Sequence, residues 1–437
     1  MPRQIAVIGA GWAGCAAAVA LADHGDRVTI FDAARMPGGR ARKVQINGLE
    51  LDNGQHILMG AYTQTLHLMH KVGVDLSSAL LRVPMQMRYP GNTGMDFVAA
   101  PLPAPFHLVA GLMRATGLRL TDKAALISFA VNAAKINWNI APDYSVISLL
   151  KQFKQTDRLV QLMWRPLCLA ALNTPPEIAC AQTFLNVLKD SLGASQTASQ
   201  MLLPRVDMGA LFPQKAIDYV VARGGVAAFG KRINAVTSIG SAWQLSAAQS
   251  PYPSLFNQVV IATDMQSAAQ LLESLSGTAL MPTASYQSIT TCYVQFPSDC
   301  RLDAAFYALV DDPKNKQWGQ FVFDRGQLNT TQPGLFAVVI SASGEVGALG
   351  HDEIITDICR QLAAVFKRDE FATPLWAKVI TEKRATFSCV PGLYRPPNTT
   401  QIKGIALAGD FTASRYPATL EAAVRSGCAA AAELIKA

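Results

Sequence analysis

Gly9-Ala10-Gly11-Trp12-Ala13-Gly14 has the spacing of a turn that cradles phosphate: the backbone closes on a pyrophosphate while the following helix points its N-terminus at it. Gly9, Gly11 and Gly14 allow this by lacking side chains, and the backbone of Trp12 and Ala13 supplies donors. Asp32 closes a second apolar run, where a carboxylate accepts from ribose hydroxyls, and Ala33 follows it beside the same ligand. A solvated acid at a strand end is the plain alternative for Asp32; the spacing favours the ribose. Gly38-Gly39-Arg40 comes next: Gly39 lets the chain approach a phosphate, and Arg40 adds a fixed cation and a donor fork.

A second set stands at the far end. Ile405 to Ala408 runs apolar into Gly409-Asp410, and Pro417-Ala418-Thr419-Leu420-Glu421 opens a small-residue helix. Asp410 is placed to bind a ribityl chain through its carboxylate. Backbone donors around Thr419 and Leu420 would stabilise negative charge on a reduced flavin ring at that helix N-terminus. Glu421 reads as a first-turn acid that complements the helix dipole. The two ends together make one site for FAD rather than NAD.

These residues need elements to hold them. Ile5 to Ile8 and Val28 to Phe31 read as strands, joined by an alanine-rich helix from Cys15 to His24. Residues 101–204 read largely helical, punctuated by prolines. A second cofactor-side segment spans 211–272, with a helix ending at Gly224-Gly225, a strand from Ile233 to Ile239, and another from Val259 to Thr263. Strand-like runs follow at Ser288 to Phe296, Gln320 to Phe323, Leu335 to Ser341 and Trp376 to Thr386, with a helix from Asp352 to Lys367. The implied fold is α/β: a discontinuous Rossmann-like FAD-binding domain (1–84, 205–275 and 387–437). Interleaved with it is a substrate-binding domain (85–204 and 276–386) of helices and a mixed β-sheet.

Bulk properties narrow the class. A chain of 437 residues supports two cores, and half its residues are hydrophobic while 16% are charged. No apolar run approaches the roughly 18 residues a membrane span needs. Arg3 before an apolar stretch is the pattern of a signal peptide, but the glycines fit a βαβ unit better. The net charge is +7 without a dense Lys/Arg run, which argues against nucleic acid as a partner. Eight scattered cysteines without ligand spacing fit a reducing cytoplasm and give no metal site.

With these pieces in place, the chain resembles the flavin amine oxidase and phytoene desaturase superfamily over essentially its whole length, where Gly38-Gly39-Arg40 is a phosphate-side motif. Within it, Leu51-Asp52-Asn53-Gly54-Gln55-His56, Gly60-Ala61-Tyr62 and Trp164-Arg165-Pro166-Leu167 through Pro175 are similar to the hydroxysqualene dehydroxylases of hopanoid synthesis. That resemblance implies FAD, a C30 isoprenoid substrate, and reductive removal of the hydroxyl of hydroxysqualene to give squalene; with no cysteine of the amine oxidase type that bonds flavin evident, the FAD is expected to be non-covalent. It also places Val236 where the superfamily binds adenine through backbone atoms. An allylic alcohol ionises when its oxygen is protonated, and hydride quenches the cation, so the site needs a proton donor and no bulk water.

In such a fold the segment after Arg40 passes the flavin ring, which makes Gln55, His56 and Tyr62 the catalytic candidates. His56 leads as the acid because an imidazole titrates near neutral pH; a satisfied structural histidine is its alternative. Asp52 reads as a backbone-binding carboxylate or the orienter of His56. Arg415 and Tyr416 lie near the helix start, with loop packing as their alternative. The stretch Phe106 to Trp138 is rich in Leu, Val, Ile and Met with Arg114, Arg119, Lys123 and Lys135 between them. It either packs the substrate domain or docks on the inner face of the cytoplasmic membrane, near squalene-pathway enzymes. A carotenoid desaturase, an amine oxidase and a non-catalytic isoprenoid carrier are the rival readings.

Overall fold

The computed structural model describes residues 2–248, 250–276 and 284–436. Residues 277–283, near the start of the second expected substrate-side stretch, lie outside the described residues. The strands of the two main sheets are β1 (Gln4–Ile8), β2 (Arg27–Asp32), β3 (Val226–Phe229), β4 (Gln258–Ile261), β5 (Tyr286–Gln295), β6 (Phe306–Ala308), β7 (Phe321–Asp324), β8 (Leu335–Ser341), β9 (Trp376–Phe387) and β10 (Ile405–Leu407). The helices that bear on the site are α1 (Trp12–Asp23), α2 (Thr63–Lys71), α3 (Phe106–Arg114), α4 (Leu120–Lys135), α5 (Ala181–Ser191), α6 (His351–Phe366) and α7 (Leu420–Lys436).

The first sheet runs β3-β2-β1-β4-β10 with every pair parallel. Its central strands are buried on both faces, which is why Ile5 to Ile8 and Val259 to Ile261 are unbroken apolar runs. Alanines let α1 lie close on this sheet, and α7 closes on α1 through Gly427, where an added Cβ would stand 2.1 Å from the Ala13 carbonyl oxygen. One strand escaped the sequence reading. The chain leaving Gly224-Gly225 enters β3 directly, whereas Val236 lies on the next strand, Ile233–Ile239, in a separate three-stranded antiparallel sheet. Val-Ala-Ala-Phe is short and half alanine, so its strand signal is weak.

The second sheet runs β6-β7-β8-β5-β9, antiparallel throughout. Side chains alternate across it. One face packs Cys292, Val294, Val338 and Ile340 under α6 through Ile354, Ile358 and Leu362. The other carries Tyr293, Ala337, Val339, Phe321 and Phe323 into a cluster with Met85, Met87, Met95, Phe97, Leu162 and Met201, flanked by Leu108 and Leu112 of α3. Among the described residues, no helix is long and apolar enough to cross a membrane.

Candidate active site

The glycine turn forms where β1 ends. The Gly9 amide donates to the Phe31 carbonyl at 2.7 Å and takes φ +112°, which a side chain rarely adopts. A Cβ on Gly9 would stand 2.4 Å from the Ala262 oxygen, and one on Gly14 only 1.8 Å from the Gly9 oxygen. The second glycine pair lies against the first: the Gly38 amide donates to the Ala10 carbonyl, and a Cβ on Gly39 would reach within 3.1 Å of the Gly11 Cα. α1 begins after Gly11 with no side chain capping its amides, so its N-terminal donors stay available to an anion. This cradle fits a pyrophosphate. Asp32 also builds it, since its two carboxylate oxygens accept from the Ala10 and Ala34 amides at 2.6 and 2.7 Å; Ala33 between them is exposed. The Trp12 ring packs on Phe212 at 5.2 Å.

The two chain ends meet at Arg40. Its Nη2 donates to Asp410 Oδ1 at 2.5 Å and its Nη1 to the Ala385 carbonyl at 2.8 Å. The sequence assigned these residues separately to phosphate and ribityl chain; in the fold they first hold each other. Gly409 gives Asp410 its place, its amide donating to Ser426 Oγ. Arg395, which no motif marks, donates to the carbonyls of Asp410, Ser414 and Tyr416 and so shapes the loop before α7. Thr419 accepts from the Ala422 amide at 3.2 Å, capping α7 just ahead of Leu420, and Tyr62 packs on the same apolar cluster as Leu420. Tyr62 thus packs near the start of α7. Burial and the nearby Glu421 raise its pKa further. Glu421 does more than complement a dipole: it is buried and accepts from the Gln64 and Thr65 amides, capping α2. Arg415 and Tyr416 both bond Asp190 of α5, which is loop packing.

Gln55 and His56 follow the hairpin Lys43–Ile46/Leu49–Asp52 after a bend at Asn53–Gly54. Asp52 is buried, its carboxylate accepting from the Met208 amide at 2.8 Å and its carbonyl from the Tyr293 hydroxyl at 2.9 Å. Burial pushes its carboxyl up to about 7, opposed by the Met208 amide and by Arg325. Gln55 Oε1 accepts from Arg325 Nη1 at 2.9 Å. His56 is half-buried, yet its Nε2 is shut from solvent without a hydrogen-bond partner. Desolvation pushes that imidazole down to about 4, so at neutral pH it is uncharged and not the imidazolium its ordinary pKa suggested.

Facing this segment is β5. Thr291 Oγ1 is buried and also lacks a partner, 3.6 Å from where a Cβ on Gly54 would stand. His56 Nε2 and Thr291 Oγ1 are thus two buried polar atoms without a partner on neighbouring elements. Thr291 and Arg325 were missed because their signal is spatial. The Trp164 to Pro175 segment proves to be a strut: Trp164 Nε1 donates to Gln155, and Asn173 ties its helix end to Thr386 and Ala342. Among the described residues no group of three His, Cys, Asp or Glu side chains could hold a metal ion.

Comparison with known proteins adds three findings. Residues 12–435 match the profile of the flavin containing amine oxidoreductases. Proteins named hydroxysqualene dehydroxylase from Rhodopseudomonas palustris and Zymomonas mobilis are each 27% identical, across 99% and 97% of this chain and 98% and 97% of theirs. The fold is shared with cyclohexylamine oxidase from Brevibacterium oxydans, at TM-score 0.70 and 16% identity over 100% of this chain and 99% of that one.

Proposed function

Because this chain belongs to the flavin containing amine oxidoreductase family, we propose that it is an FAD-dependent reductase that converts hydroxysqualene to squalene. The observation that carries this reading is a small polar spot set against an apolar cluster. His56 Nε2 and Thr291 Oγ1 are buried and unpartnered, and β5, which bears Thr291, also sends Tyr293 into the methionine-rich cluster. One hydroxyl on a long hydrocarbon has that complementary shape, and methionines adapt to an irregular chain.

The FAD would be held non-covalently, with pyrophosphate on Gly9, Gly11, Gly14 and the Trp12–Ala13 amides, and Gly39 close by. Asp32 and Ala33 would take the ribose, the Val236 backbone the adenine. Arg40, Gly409 and Asp410 would hold the ribityl side, and Thr419–Leu420 the ring. In its reduced form FAD supplies hydride. The chain's residues do the rest: the apolar cluster aligns the substrate and excludes water, and Gln55 and His56 bond its oxygen. As a neutral imidazole, His56 orients the hydroxyl and passes a proton rather than storing one. Asp52, buried four residues before His56 and held by the Met208 amide, is the proton source we assign. The C–O bond breaks, a C–H bond forms, and water leaves.

We also propose that 1–84, 205–275 and 387–437 serve the cofactor and that 85–204 and 276–386 serve the substrate. A lipid surface would deliver it. Support comes from α3, which exposes Phe106, Val109 and Met113, and from α4, which exposes Leu120, Ile127 and Val131. Exposed Arg114, Arg119 and Lys135 flank them, matching anionic headgroups.

The test is anaerobic: reduce the bound flavin, add hydroxysqualene, then follow flavin absorbance and extract the lipid. Reoxidation matched by squalene is expected; flavin that stays reduced over unchanged substrate would overturn the reading.

A further inference from the structure

We propose that Arg325 is a positioning residue that locks the Gln55 amide with its NH2 group toward the substrate oxygen, making Gln55 the donor that receives that oxygen. This rests on the reading that a substrate hydroxyl sits among Gln55, His56 and Thr291.

The orientation follows from hydrogen-bond chemistry. A guanidinium has five donors and no acceptor, so the glutamine atom 2.9 Å from Arg325 Nη1 must be Oε1. Nε2 then lies on the other branch, where its bond is a long 3.4 Å contact to the His56 carbonyl. One of its two hydrogens is left over, on the segment that carries the orphaned His56 Nε2 and faces the orphaned Thr291 Oγ1.

Arg325 is itself immobilised. It is 3% exposed, its Nε donates to Gln332 Oε1 at 3.0 Å, and Gln332 Nε2 donates to the Glu50 carbonyl at 3.0 Å. Asp324 beside it accepts from the Leu302 and Gly326 amides. Among the described residues no carboxylate stands within ion-pair distance of Arg325. Its charge falls instead on two amide oxygens. A carboxylate would cancel that charge, whereas an amide passes it on, because an amide whose oxygen accepts from a cation donates more strongly through its nitrogen. The leaving oxygen therefore belongs on this side, and carbon that develops positive charge belongs away from it.

Gln55→Glu is the first test, since it keeps the shape and gains an ion pair with Arg325 while losing every donor. The folded, FAD-loaded variant should lose about 100-fold or more in turnover, the loss expected when a directed donor is removed. Turnover within about threefold of the unaltered enzyme would overturn the proposal. Arg325→Met, Gln55→Leu and the double variant make a cycle. Action through Gln55 predicts a double variant no worse than the poorer single, and multiplied losses would contradict it. Binding of hydroxysqualene against squalene, read from the flavin spectrum of the oxidised enzyme, needs no turnover. The unaltered protein should prefer the alcohol, and Gln55→Glu should not. No turnover in the unaltered enzyme would sink the dehydroxylase reading, whereas equal preference in both proteins would sink the role of Arg325.

Discussion

Arg40 and Asp410 lie 370 residues apart in the chain and 2.5 Å apart in the fold. The pair joins the turn after β2 to the turn after β10, and on the proposed reading it closes the FAD site. Asp410 is nearly buried, so removing its partner leaves a poorly solvated charge where FAD would bind. Arg40→Met should weaken FAD retention by at least about tenfold, corresponding to about 1.4 kcal/mol. Titrating apoprotein with FAD by fluorescence measures this. Unchanged affinity would mean that the pair only braces the loops.

Gly427 matters for a different reason. A methyl group there meets the backbone oxygen of Ala13 at 2.1 Å, and a backbone atom held in the glycine turn cannot swing aside as a side-chain tip does. Gly427→Ala should cost about 1–3 kcal/mol through overpacking and also weaken FAD binding, because α1 must shift. Thermal melting of apo and FAD-loaded protein separates the two effects. A variant as stable as the parent would show that α7 slides freely on α1.

Asp52 and His56 give stability opposite pH slopes. In the fold Asp52 keeps its proton up to about 7, while the unfolded chain releases it near 4, so stability falls as pH rises through that window. His56 is held neutral down to about 4, whereas the unfolded chain takes a proton near 6.5, so its contribution is lost as pH falls from there. Asp52→Asn should therefore raise the melting temperature more at about pH 8 than at about pH 5, with its amide oxygen still accepting from Met208. His56→Gln should flatten the acid side. Parallel curves for variant and parent would refute the burial argument. Asp52→Asn should also slow squalene formation if this carboxyl supplies the proton.

The glycine turn was legible as a backbone shape because it depends on residue type at fixed local spacing, as with Gly14, where only a missing side chain clears the Gly9 oxygen. The antiparallel sheet was legible from runs such as Leu335 to Ser341, buried at every position. What stayed hidden depends on distance in space. Arg325 reaches Gln55 across 270 residues, and nothing near either in sequence announces it. His56 reads as an acid because an isolated imidazole titrates near neutrality, and the burial that pushes its pKa down to about 4 has no signature in the sequence. Glu421 looked like a dipole partner until α2 was found resting its first amides on it.

The exposed faces of α3 and α4 make the last prediction. Phe106, Val109 and Met113 recur at helical spacing, as do Leu120, Ile127 and Val131, and Leu120 is 82% exposed. Phe129 points the other way, into the core, so the outward stripe is a separate surface. Apolar side chains left in water beside cations lose free energy on entering an anionic bilayer, through both burial and charge attraction. The protein should sediment with phosphatidylglycerol vesicles, less so as salt is raised, and weakly with phosphatidylcholine alone. Leu120→Asp with Ile127→Asp should cut that binding by about tenfold or more while leaving FAD content unchanged, since neither side chain supports the core. Vesicle binding that ignores both the charge of the lipid and these two substitutions would remove the surface from the reaction cycle and leave substrate delivery to some other part of the molecule.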